Sequence, residues 1–168
     1  MKIKRFQDMN ESAHDKYGVS MVYFDAPLLP DIQSRINDND VVFRELESHI
    51  TLLYGLHLEC VDEDVMERSL PNNISDITLN NVSYFSAIKY DVLKFEASAD
   101  WLYQSNKKLT ELPHTSNFPE YKPHCTICYL KPGTAQKYCD MFKNKSMIVS
   151  PKEVIYRKIN GRKIRSYV

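Results

Sequence analysis

Two short stretches of this chain repeat each other. His49-Ile50-Thr51-Leu52-Leu53-Tyr54 and His124-Cys125-Thr126-Ile127-Cys128-Tyr129 carry histidine, threonine and tyrosine at the same offsets, with apolar or small residues at the rest of the first five positions. Both are short, β-rich runs, and each is bounded by a breaker, Gly55 after the first and Lys131-Pro132-Gly133 after the second. Both therefore read as strands. Residues two apart on a strand share a face. His49 and Thr51 then point one way, with Ile50, Leu52 and Tyr54 opposite. His124 and Thr126 do the same, with Cys125, Ile127 and Tyr129 opposite. Each strand presents an imidazole beside a hydroxyl, backed by a core face. If the strands occupy pseudo-symmetric halves, the two pairs can face each other across one cleft.

The rest of the chain supplies mixed elements. Residues 1–16 are polar and unpatterned and read as a loose N-terminal arm. Val19 to Phe24 reads as a strand, and 27–36 as a helix with Leu28, Leu29, Ile32 and Ile36 on one face. Asn37 to Asp40 is turn chemistry. Val61 to Leu70 reads as a helix with acids at its start and Arg68 near its end, which suits the helix dipole. Ile77 to Ser98 reads as two or three strands, and Asp100 as the cap of a helix running to about Leu112. A loop, 113–123, leads to the second motif strand. Thr134 reads as the cap of a helix to about Phe142. Met147 to Val168 reads as two strands around Asn160-Gly161, a strong hairpin signal. No Gly- or Ser-rich linker divides the chain, so 1–168 is expected to be one α+β or α/β domain. Element order leaves parallel and antiparallel pairing open.

Composition narrows the function. Of 168 residues, 43% are hydrophobic and 26% charged, which suits an ordinary folded domain. Lys plus Arg equal Asp plus Glu at 22 each, a balance that counts against a protein coating long nucleic acid. No apolar run reaches the roughly 18 residues of a membrane span. Met-Lys-Ile-Lys-Arg is followed by no apolar stretch, so no secretory signal is expected and the cytoplasm is the expected compartment. The cysteines are Cys60, Cys125, Cys128 and Cys139. Cys125 and Cys128 form a CxxC, but strand residues three apart face oppositely and no second CxxC completes a zinc site. Neither metal nor cofactor is expected.

The doubled pair suits phosphodiester cleavage. Imidazole titrates near pH 6.5, so at neutral pH one can be neutral and take a proton while the other, charged, gives one. Two threonine hydroxyls can donate to non-bridging phosphate oxygens. The alternative for a single such pair is a satisfied strand histidine; two aligned copies favour chemistry. His14, His57 and His114 read as loop or surface residues, and Trp101 as a packing residue.

On these residues the chain resembles the 2H phosphoesterase superfamily, defined by two H-x-[ST]-x motifs. The resemblance implies a bilobal fold of two antiparallel sheets with outer helices and a central, metal-independent cleft, with His49, Thr51, His124 and Thr126 catalytic. Lys16-Tyr17-Gly18, Val22-Tyr23-Phe24-Asp25 and Pro123-His124 to Gly133 look most like the phage anti-CBASS nucleases. That resemblance implies cleavage of 3′-5′ linkages in cyclic di- and trinucleotide immune signals by the substrate's own 2′-hydroxyl, inside an infected bacterial cell and with no protein partner. It also implies that Tyr17 stacks on a base and Glu153 contacts one. Cys125 and Cys128 depart from the family's usual small apolar residues. An RNA 2′,3′-cyclic phosphodiesterase and a non-catalytic nucleotide sponge are the alternatives.

Overall fold

The structure, a computed structural model, describes residues 17–57, 61–116, 118–158 and 163–168. The expected arm at 1–16, with His14, lies outside them, as do Cys60 and the Asn160-Gly161 turn. The strands are β1 (Gly18–Phe24), β2 (Val41–Arg44), β3 (His49–Leu56), β4 (Ile77–Ser86), β5 (Asp91–Ser98), β6 (His124–Leu130), β7 (Met147–Val149), β8 (Pro151–Arg157) and β9 (Lys163–Tyr167). The helices are α1 (Leu29–Ser34), α2 (Glu63–Ser69), α3 (Asp100–Leu109) and α4 (Ala135–Phe142).

All strand pairs among the described residues are antiparallel, in the order β7-β4-β5-β6-β3-β1-β8-β9, with β2 also paired to β6. In place of the two separate sheets expected, the strands of the described residues form one nine-stranded sheet, because β3 and β6 meet at the pair Ile50↔Cys125. On one side of this seam lie β3, β1 and β8, and on the other β6, β5 and β4. The chain traces two similar paths, β1-α1-β3-α2-β4 and β5-α3-β6-α4-β8, if β2 and β7 are set aside. The last strand of each path crosses the seam: β4 pairs with β5, and β8 with β1. Neither half can close without the other, which accounts for the absence of a linker.

The helices form where an apolar stripe meets helix-compatible ends. In α3, Trp101, Leu102, Ser105 and Leu109 are buried on one side, Asp100 sits in the first turn, and Lys107 and Lys108 sit in the last. Trp101 packs as expected, its indole N–H donating to Ser75 O at 2.9 Å. Two caps differ from expectation. Ala99, not Asp100, holds the cap position of α3. Thr134 makes no capping bond to α4; its hydroxyl donates to Lys131 O, and buried Asp91 takes over, accepting from Gly133 N and Ala135 N. Asp62 does cap α2, accepting from Val65 N. Gly55 does not end β3. It bends it with φ +94°, and a Cβ there would lie 1.9 Å from Thr115 O, so only glycine fits.

Strict alternation fails in both motif strands at the same place. Thr51 pairs with Met21 and Leu53 with Ser20, so Leu52 is an extra residue in β3. Thr126 pairs with Lys94 and Cys128 with Leu93, so Ile127 is an extra residue in β6. A bulge of this kind shifts the phase of the residues after it. Leu53 and Cys128 turn into the main core, and Tyr54 and Tyr129, expected on the core face, leave it. Tyr129 packs instead with Phe43, Val92 and Tyr90 in a second, small cluster. Cys125 and Cys128 consequently share the core rather than facing apart, with burial pushing both thiols up to about 12. Thiols so protonated are poor nucleophiles and ligands.

Candidate active site at the strand seam

Ile50 and Cys125 are fully buried and form the seam's only paired position among the described residues. Antiparallel register about that pair sets His49 across from Thr126 and Thr51 across from His124. All four side chains lie on the face opposite the main core. Thr126 is buried, and His49, Thr51 and His124 are half-buried. The expected quartet is therefore assembled by two adjacent strands, one from each half.

The two imidazoles are held in the same way. Nδ1 of His49 donates to Glu47 O at 2.9 Å, and Nδ1 of His124 donates to Lys122 O at 2.8 Å. A carbonyl only accepts, so both Nδ1 atoms carry a proton and the acid–base chemistry of each ring falls to Nε2. Burial holds the His124 pKa below the ordinary histidine value; the charges of Lys94 and His49 act in the same direction, against the bond to Lys122 O.

Cross-strand rows define the surroundings. His49 pairs with Tyr23, and Tyr23 with Glu153, so Glu153 shares the face of His49 two strands away, roughly 9–10 Å at the backbone. The Tyr23 ring lies 5.5 Å from that of His49, and its hydroxyl accepts from Arg157 Nη2 at 3.1 Å. Burial raises the Tyr23 phenol pKa. Across the seam, His124 pairs with Glu96 and Thr126 with Lys94. Lys94 Nζ donates to Ser83 Oγ at 2.8 Å and lies 3.9 Å from Glu96 Oε1; burial holds its pKa below the usual lysine range. Phe85 meets the His124 ring edge-on at 5.8 Å.

Tyr17 is not drawn to the quartet. It stacks on His57 at 5.5 Å, at the Leu56 end of β3. His57 lies just beyond β3 and its Nε2 is 3.0 Å from Thr115 Oγ1, while Nδ1 of His114 donates to Leu112 O. Tyr23 and Arg157 carry no local sign in the sequence of lying near the quartet, and Lys94 and Glu96 carry little, because each is brought there by pairing with a distant strand. One signal is present: Lys94 and Glu96 alternate with apolar Leu93, Phe95 and Ala97 in β5, which marks a polar face. Among the described residues, no three His, Cys, Asp or Glu side chains converge as a metal-binding group. No described helix is long and apolar enough to cross a membrane.

No protein-family model and no curated protein sequence matches the chain. Solved structures do. Usb1 from Kluyveromyces marxianus superposes with a TM-score of 0.55 at 8% identity, over 92% of this chain and 99% of that one. The same protein solved with uridine monophosphate gives 0.57 at 9% identity, over 93% of this chain and 100% of its own. At such low identity what is shared is the fold, and nearly the whole of this chain has the fold of Usb1.

Proposed function

We propose that the protein is a metal-independent phosphodiesterase of the 2H type, with its substrate held across the β3–β6 seam between two lobes. The observation that carries this reading is the matched pair of imidazoles, His49 and His124, each tied through Nδ1 to the carbonyl two residues before it and each facing a threonine across one strand pair. One Nε2 takes the proton of the substrate's 2′-hydroxyl. That oxygen attacks the neighbouring phosphorus, and the bond to the departing 5′-oxygen breaks. The other imidazolium protonates the departing oxygen. The hydroxyls of Thr51 and Thr126 donate to the non-bridging oxygens as charge builds. The product is a 2′,3′-cyclic phosphate, which water then opens with the two histidines exchanging roles. Both Nε2 atoms are committed to proton transfer, and the scheme has no step for a metal.

The substrates we assign are cyclic di- and trinucleotides with 3′-5′ linkages, the immune signals that phage anti-CBASS nucleases destroy in the cytoplasm of an infected bacterium. The balanced charge of the chain supports a small ligand over a long one. We assign Glu153, in the row of His49, to base contact, and Tyr17, at the far end of β3, to base stacking. A second reading, an RNA-end phosphodiesterase, is favoured by the fold's occurrence in Usb1, solved with uridine monophosphate. A sponge without catalysis would need no pair of proton-transfer groups.

The test is incubation with a panel of cyclic di- and trinucleotides and an RNA ending in a 2′,3′-cyclic phosphate, with EDTA present. Cleavage of the cyclic oligonucleotides in EDTA is expected. Cleavage of the RNA end alone transfers the assignment to the second reading. Binding without turnover leaves a sponge, and turnover that EDTA abolishes and Mg²⁺ restores ends the metal-independent mechanism.

A further inference from the structure

The two bulges are not left to themselves. Leu52 and Ile127 are each the third residue after a motif histidine, and both are fully buried. The extra residue of a bulge falls out of the strand ladder, so its carbonyl needs another donor. Both find an amide side chain. Asn106 Nδ2 donates to Leu52 O at 2.7 Å, and Gln33 Nε2 donates to Ile127 O at 2.8 Å. The donors cross the seam. Asn106 belongs to α3, which leads into β6, yet it holds β3. Gln33 belongs to α1, which comes after β1 on the β3 side of the seam, yet it holds β6. Gln33 Nε2 also donates to Glu45 O at 2.8 Å, two residues before the Glu47 carbonyl that fixes the His49 ring.

We infer that Asn106 and Gln33 are a crossed pair of positioning residues, which lock the bulges behind the two His–Thr pairs and so set how His49 and His124 are aimed at each other. This rests on the catalytic reading of the quartet. Neither amide touches the reacting atoms. Each binds the strand carrying one histidine from the path that carries the other, so the two halves of the site are adjusted jointly. Loss of either clamp lets its strand relax, and sub-ångström to 1 Å misalignment of an acid–base pair costs on the order of 10–100-fold in rate. Binding, spread over other groups, changes little.

The experiment compares Asn106→Leu and Gln33→Met, which keep bulk and remove the donor, with Asn106→Ser, which keeps a shorter donor. Single-turnover cleavage and KM are measured well below the melting temperature. Imidazole ¹⁵N–¹H spectra of His49 and His124 are recorded on the same proteins. Expected are a fall in kcat of about 10–100-fold with KM within about threefold, and partial rescue in Asn106→Ser. The spectra should show a crossed signature: Asn106→Leu moves the His49 signals most, and Gln33→Met those of His124. If the wild type cleaves and the folded variants keep its kcat, the positioning role is overturned while the catalytic reading stands. If the wild type cleaves nothing on the panel, the catalytic reading fails. The clamps are then judged by the spectra alone, and unchanged histidine signals overturn them. Should a variant fail to fold, Asn106→Ser and Gln33→Asn are read by the same two measures.

Discussion

Asp91→Ala should lower stability by about 3–5 kcal/mol while sparing catalysis. The carboxylate is 1% exposed at the start of β5. Its Oδ1 accepts from Ser86 Oγ at 2.7 Å, and its Oδ2 from Gly133 N at 2.8 Å and Ala135 N at 3.4 Å. A hydrogen bond to a charged group contributes roughly 1.5–3 kcal/mol, and removing the acceptor also strands buried donors. The two short bonds supply about 3–6 kcal/mol, and the long one adds little. Ser86 can regain water, which places the expected value toward the lower end. For a domain of this size each kcal/mol moves the melting temperature by about 2–4 °C, so a fall of roughly 6–20 °C should appear. The urea midpoint should fall with an unchanged slope. Asp91 pairs with Leu130, at the opposite end of β6 from His124, whose partner on β5 is Glu96. Cleavage by the folded protein at low temperature should therefore stay within about threefold of wild type. A loss of stability below about 1 kcal/mol would refute the reasoning that this carboxylate closes the β6–α4 turn, since it would then behave as a surface group. A rate loss above about tenfold in fully folded protein would show that the turn is coupled to the site.

Three further outcomes are expected. His49→Ala and His124→Ala should each slow single-turnover cleavage by about 10²–10⁴-fold with the fold retained, and the double variant should lose far less than the product; near wild-type cleavage by either single variant would make the repeat structural. A 2′-deoxy cyclic dinucleotide should bind and resist cleavage, and equal turnover of ribose and deoxyribose forms would exclude internal attack. Stability should fall as pH drops below the ordinary histidine value of 6.5: His124 is held below that value in the fold, so the unfolded chain binds more protons there and acid favours it. Urea midpoints of His124→Gln and wild type, compared from about pH 5 to about pH 7.5, should show this slope reduced in the variant.

How much of the molecule is legible in its sequence depends on how far each signal reaches. The start of both motif strands and the placing of His–Thr pairs on one face depend on three consecutive residues, a span too short for a bulge to disturb. Helix α3 is legible for a similar reason, since Trp101, Leu102 and Leu109 carry its stripe locally. The strand order is not, because the crossing of β4 and β8 between halves is decided by long-range pairing. The bulges at Leu52 and Ile127 are hidden too: both are plain core aliphatics, and nothing in their chemistry announces an extra residue. Yet their effect reinterprets a feature that the sequence displays openly. The tyrosine repeated in both motifs, Tyr54 and Tyr129, reads as core by alternation, and a core would accept any large apolar side chain there. With the bulge between, both tyrosines leave the main core for the face that bears His49, Thr51, His124 and Thr126. Tyr129 comes within side-chain hydrogen-bonding reach of Thr126. Burial raises the Tyr54 phenol pKa, with Tyr17 acting in the same direction. The repeat thus runs over six residues rather than three, and two identical backbone irregularities bring its third fixed position onto the sheet face of the quartet.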